Sequence, residues 1–106
     1  MPEKERPVAR RYRLSRPADE DFVQIYLQGH EQFGPNQAEH YAAGMTATFE
    51  TLAQFPKLAR ERKEHRPPVR VQRHGAHVIV YRIEEDGILI LRIRHGREDW
   101  LSNPLE

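Results

Sequence analysis

The chain contains no cysteine. Disulfides, thiolate nucleophiles and cysteine-based zinc sites are therefore excluded together. Long apolar runs are missing too, and none approaches the roughly 18 residues that cross a bilayer. The N-terminus lacks the apolar core of a signal peptide, so the cytoplasm is the expected compartment. Lysine and arginine are absent between residues 17 and 56, a stretch that holds six Asp or Glu.

That last absence exposes the pattern in what is present. The net charge of +1 is a sum of blocks. Residues 1–16 carry six Lys or Arg against two Glu, and residues 57–97 carry eleven against five Asp or Glu. One unit thus presents an acidic surface and another a basic one. A basic face suits an anionic partner, either nucleic acid or an acidic protein segment. A solvated protein with clustered charges is the plainer alternative. With 106 residues, 38% of them hydrophobic, there is material for one domain and a modest core.

Residues 1–11, with two prolines and alternating charges, read as a mobile basic arm, and 12–106 as the single domain. Tyr12-Arg-Leu-Ser15 fits a short strand ended by Pro17. Pro17 suits a first helical turn, and Asp19, Glu20 and Asp21 favour the positive end of its dipole. Phe22, Ile25, Tyr26, Gly29 and Phe33 step by three and four residues along one helix face. Gly34 and Pro35 stop that helix. Asn36 with Glu39 is a capping-box variant opening a second one, whose face is Tyr41, Met45, Thr48, Phe49, Leu52 and Phe55. Helices joined by about three residues run antiparallel.

The charged segment from Lys57 to Pro68 suits an exposed connection. The period then falls to two residues. Val69 and Val71 mark one strand, His77 to Ile83 a second and Ile88 to Arg94 a third, with His74-Gly-Ala76 and Glu85-Asp-Gly87 as turns. The fold class is α+β: an N-terminal strand, an antiparallel helical hairpin, then a three-stranded antiparallel meander, with the helices packed on one sheet face. Strict alternation places Ile79, Tyr81, Ile83, Leu89, Leu91 and Ile93 beneath the hairpin. It leaves Val78, Val80, Arg82, Ile88, Ile90, Arg92 and Arg94 on the open side.

That open side is expected to bare a guanidinium row beside an apolar patch. Arginine suits an acidic partner because its planar fork pairs bidentately with carboxylates and stays charged. Replacing Arg92 and Arg94 by alanine is expected to weaken partner binding more than it weakens the fold. Ordinary solvated strand arginines are the bland alternative. Arg97, Asp99 and Trp100 in the tail make a candidate contact cluster, unless Trp100 folds back on the core. His95 and Gly96 shape the strand exit. The six histidines show no helical i, i+4 pair and no cysteine support, so no metal site is expected.

Tyr12-Arg-Leu-Ser15, Phe33-Gly34, Gln37-Ala-Glu-His-Tyr41 and Leu52-Ala-Gln-Phe-Pro56 together resemble the ParE branch of the ParE/RelE toxins. So do Tyr81-Arg82 and Ile90-Leu-Arg-Ile-Arg-His-Gly-Arg97. The resemblance runs in order over roughly residues 12–100, and its specificity lies in the ordered set. It implies the toxin of a type II toxin–antitoxin system, neutralised by a ParD-like antitoxin whose DNA-binding part alone reaches operator DNA. It also implies DNA gyrase as target, no cofactor and no membrane partner. On that basis the antitoxin-binding set is Arg82, Ile88, Ile90, Arg92 and Arg94, and the target-binding set is His95, Arg97, Asp99 and Trp100. The RelE branch cuts messenger RNA on ribosomes, and His74, His77 and His95 with the three arginines are raw material for that alternative. Against it, Val78 stands where the nuclease branch carries a catalytic arginine, and no tyrosine follows Tyr81. No catalytic residue is therefore assigned; a non-toxic antitoxin-binding relative is the third reading.

Overall fold

The computed structural model describes residues 11–106. The basic arm expected over 1–11 lies outside them except for Arg11, which opens the first strand. The elements run β1 (Arg11–Leu14), α1 (Arg16–Phe33), α2 (Pro35–Gln54), β2 (Glu61–Arg62), β3 (Val69–His74), β4 (His77–Glu84) and β5 (Gly87–His95). They build one sheet in the order β1-β5-β4-β3-β2. The meander β3-β4-β5 is antiparallel, and β1 joins it parallel to β5 with Tyr12 opposite Ile88. This is the α+β architecture read from the sequence. A two-residue strand within the charged connection is an addition to it.

Local chemistry explains the helix ends. Ser15, read as the end of a strand, caps α1: its Oγ accepts from the Ala18 backbone N–H at 3.1 Å. The hairpin turns on one residue, not about three. Gly34, at φ 90°, is both the C-cap of α1 and the N-cap of α2, and its own N–H donates to the His30 carbonyl. A positive φ there favours glycine. Pro35 then starts α2 directly, and the Asn36 capping box does not form, since α2 has no side-chain cap bond.

Beneath the hairpin, Met45, Phe49 and Leu52 meet Ile79, Tyr81, Ile88, Ile90 and Ile93 in one buried cluster. Each such side chain contributes roughly 2 kcal/mol by leaving water. Tyr81, wholly buried, adds a polar tie: its hydroxyl donates to the Pro56 carbonyl at 2.8 Å and accepts from the Ala59 N–H at 3.4 Å. It thereby holds the chain leaving α2. A Tyr81→Phe variant is expected to lose about 1.5 kcal/mol in urea denaturation, because both backbone groups lose their partner in an apolar site.

The core corrects the strict alternation. Ile88 and Ile90, expected on the open side, are buried at 1% and 0% exposure, whereas Leu89 and Leu91 are not core residues. The cause is a bulge. Tyr81 pairs with Ile90 but Val80 pairs with Arg92, so Leu91 is the extra residue. One inserted residue exchanges the two faces of a strand. Ile88 and Ile90 before the bulge and Ile93 after it consequently share the helix-covered face.

Candidate protein-docking site

The face away from the helices carries Val78, Val80, Arg92 and Arg94, but it is not bare. Val78 and Val80 are buried at 1% and 0% exposure, and Arg94 at 8%. The tail crosses this side. Arg94 Nη1 donates to the Asn103 carbonyl at 2.7 Å, and Arg92 Nη1 donates to the backbone oxygens of Leu105 and Glu106 at 3.2 and 2.8 Å. Pro104 is buried, and the Arg62 guanidinium stands 5.3 Å from the Trp100 ring centroid.

Carboxylates complete the enclosure. Beyond Ile90, β1 no longer flanks β5. Asp21 of α1 fills the gap, accepting from Arg92 Nε and Nη2 at 2.7 and 3.0 Å and from the Ile93 N–H at 2.9 Å. The pairing raises Arg92 above the usual arginine value, chiefly through the Asp21 hydrogen bond. Glu98 takes Arg94 Nη2 at 3.2 Å and the His95 N–H at 2.7 Å, and the Arg94 bond holds its carboxyl below the usual range. The expected open row is thus an internal network. Arg82 lies apart at the other end of β4, exposed, 3.6 Å from Glu84, which Arg13 also engages at 2.7 Å.

The open, mostly apolar surface lies elsewhere. Where the hairpin overhangs the β3–β4 turn, a groove of about 510 Å³ separates it from the sheet end. Phe22, Ile25 and Tyr26 of α1 and Tyr41, Ala42 and Met45 of α2 line its apolar walls. His77, His95 and Arg97 close one end. Phe33, placed by its spacing on the buried face of α1, sits at this groove 61% exposed. The groove brings together two of the four residues expected to meet the target, His95 and Arg97, and leaves Asp99 and Trp100 in the tail. Sequence reasoning missed Tyr41 as a site residue, because its step along α2 marks it as core.

Tyr41 organises the imidazole end. Its hydroxyl donates to the His74 carbonyl at 3.0 Å, accepts from the Ala76 N–H at 3.1 Å and lies 2.7 Å from His77 Nδ1. Burial raises the Tyr41 pKa and lowers those of His74 and His77. His95 and His74 push His77 further down, opposed by Glu98. The His77 and His95 rings meet edge to face at 5.3 Å. Among the described residues no group of three potential ligands could hold a metal, and no helix is long and apolar enough to cross a membrane.

Comparison with known proteins adds the family context. Residues 12–100 match the family model for the ParE toxin of the type II toxin–antitoxin system parDE. The toxin ParE1 of Caulobacter vibrioides is 33% identical over 84 residues, covering 79% of this chain and 86% of the relative. The toxin ParE1 of Mycobacterium tuberculosis is 30% identical over 90 residues, covering 84% and 92%. A chain from a chromosomal ParDE system of P. aeruginosa superposes with a TM-score of 0.69 at 22% identity, covering 84% of this chain and 98% of that one.

Proposed function

Because this chain belongs to the ParE toxin family of type II toxin–antitoxin systems, we propose that it arrests growth in the cytoplasm by inhibiting DNA gyrase. In this reading a ParD-type antitoxin holds it inactive by seating an amphipathic, acidic segment in the groove under the hairpin. The observation that carries it is the groove's composition, mostly apolar along the helices with two imidazoles, His77 and His95, and the positively charged Arg97 at one end. An apolar helix face with carboxylates at one end complements such a surface. The antitoxin would then cover His95 and Arg97, which we assign to target contact with Asp99 and Trp100. Neutralisation is by occlusion, and operator DNA is reached only through the antitoxin.

Binding without catalysis is favoured by where the cations are. A ribonuclease needs a base, an acid and cations around one phosphate. Here His74 and His77 are bound to Thr48 and Tyr41, while Arg92 and Arg94 are held on the other sheet face by Asp21 and Glu98. Purified protein added to gyrase and relaxed plasmid is therefore expected to block supercoiling, and equimolar antitoxin to restore it. Normal supercoiling together with cut messenger RNA on ribosomes would replace this reading with the nuclease one.

A further inference from the structure

The hydrogen-bond pattern around the groove's imidazole end assigns positions to the ring protons. A tyrosine hydroxyl has one proton to give and two lone pairs. Tyr41 meets the His74 carbonyl, an acceptor, the Ala76 N–H, a donor, and His77 Nδ1. All three contacts are satisfied together when the hydroxyl donates to His74 and Nδ1 of His77 carries a proton. His95 is set the opposite way. Its Nδ1 accepts from the Arg97 N–H at 3.0 Å, so its proton resides on Nε2. With one proton on each ring the two carry complementary tautomers, and Nε2 of His77 is left as a bare lone pair. Among the described residues, neither Nε2 makes a hydrogen bond, and neither is sealed from solvent: the buried side-chain atoms without partners are those of Arg62 and His65.

One proton added to His77 Nε2 changes the character of the notch. Before it, the pair offers one donor and one acceptor. After it, both Nε2 atoms are donors on adjacent rings, at the end of the groove that Arg97 also lines, and one ring is cationic. That arrangement accepts a carboxylate with charge-assisted hydrogen bonds. We propose that His77, His95 and Arg97 form a carboxylate-binding notch at the end of the groove, completed by proton uptake at His77 when an acidic side chain of the docked partner arrives. The inference rests on the groove being the antitoxin seat.

The groups facing His77 determine the sign. Tyr41 from α2 holds Nδ1, and His74 from β3, His95 from β5 and Glu98 from the tail act on its charge. The lining stretch of α1 contributes Tyr26 but no charged side chain. The free protein keeps His77 neutral at physiological pH, because burial and two neighbouring imidazoles disfavour its charge and only Glu98 favours it. A carboxylate in the notch favours the charge. Affinity for the partner consequently rises as pH falls through the histidine range. A purely apolar occupant gives the reverse slope, since it only desolvates the ring further.

Calorimetric titration with the cognate ParD-type antitoxin between pH 7.5 and 5.5 tests this. Affinity is expected to increase about tenfold for each unit by which the His77 pKa rises in the complex. The variant H77Q is expected to lose the slope, its affinity no longer rising between pH 7.5 and 5.5. Nitrogen-15 spectra of the rings at pH 7.5 are expected to show the proton of His77 on Nδ1. A flat or inverted profile, or His77 protonated on Nε2, overturns the notch while leaving the groove as docking site. Full affinity in a chain whose groove is blocked overturns the docking reading itself.

Discussion

Replacing Arg92 and Arg94 together by alanine is expected to destabilise the fold by about 3 kcal/mol, lowering Tm by roughly 15 °C. The reason is their use inside the molecule. Arg92 engages Asp21 through two nitrogens while donating to Leu105 and Glu106, so one side chain joins α1, β5 and the tail. Arg94, its side chain 9% exposed, ties Glu98 and the Asn103 carbonyl. Removing the pair leaves Asp21, 17% exposed, with only the Ile93 N–H. A part-buried carboxylate that loses its cation costs more than a surface pair returns. The two losses share the tail and need not add. Acid removes part of the same tie in the natural chain. Arg94 depresses the Glu98 pKa, so that contribution is complete above about pH 4.5 and declines as pH falls through the lowered value. Thermal melts with antitoxin titrations decide the matter. An unchanged Tm combined with lost affinity would return these arginines to a bare docking row.

That reversal shows which parts of the molecule its sequence makes legible. The hairpin, its Gly34 hinge and the meander follow from periodicity and turn residues, which act over a few positions. The bulge does not. Nothing in Ile88-Leu-Ile-Leu-Arg-Ile-Arg94 marks Leu91 as the extra residue, since every position before Arg92 is aliphatic and either register buries isoleucine. A single insertion then misassigned Ile88 and Ile90 to the open face. The tail is harder still. Arg97 to Glu106 has no periodicity, and its position over the sheet depends on contacts to Arg92, Arg94 and Arg62 from distant segments. The groove likewise has no local signature. It exists because the hairpin overhangs the β3–β4 turn, so residues patterned as core line an opening there.

An Ala42→Glu variant is expected to bind antitoxin about 100-fold more weakly, a loss of about 2.7 kcal/mol, with Tm nearly unchanged. Ala42 lines the groove from α2 and is half-buried, so a longer side chain projects into the space an apolar anchor needs. Glutamate is a good helix former, and the change leaves Met45, Phe49 and Leu52 in place, which preserves the fold. Its carboxylate acts twice, excluding the apolar face of the partner and repelling the acidic one. His95 and Arg97 remain unaltered, so gyrase inhibition is expected to persist while antitoxin no longer relieves it. Cells carrying both genes should then stop growing with the variant toxin and grow with the natural one. Retained affinity in a natively melting variant would move the antitoxin off this groove, whatever the outcome at the arginine network.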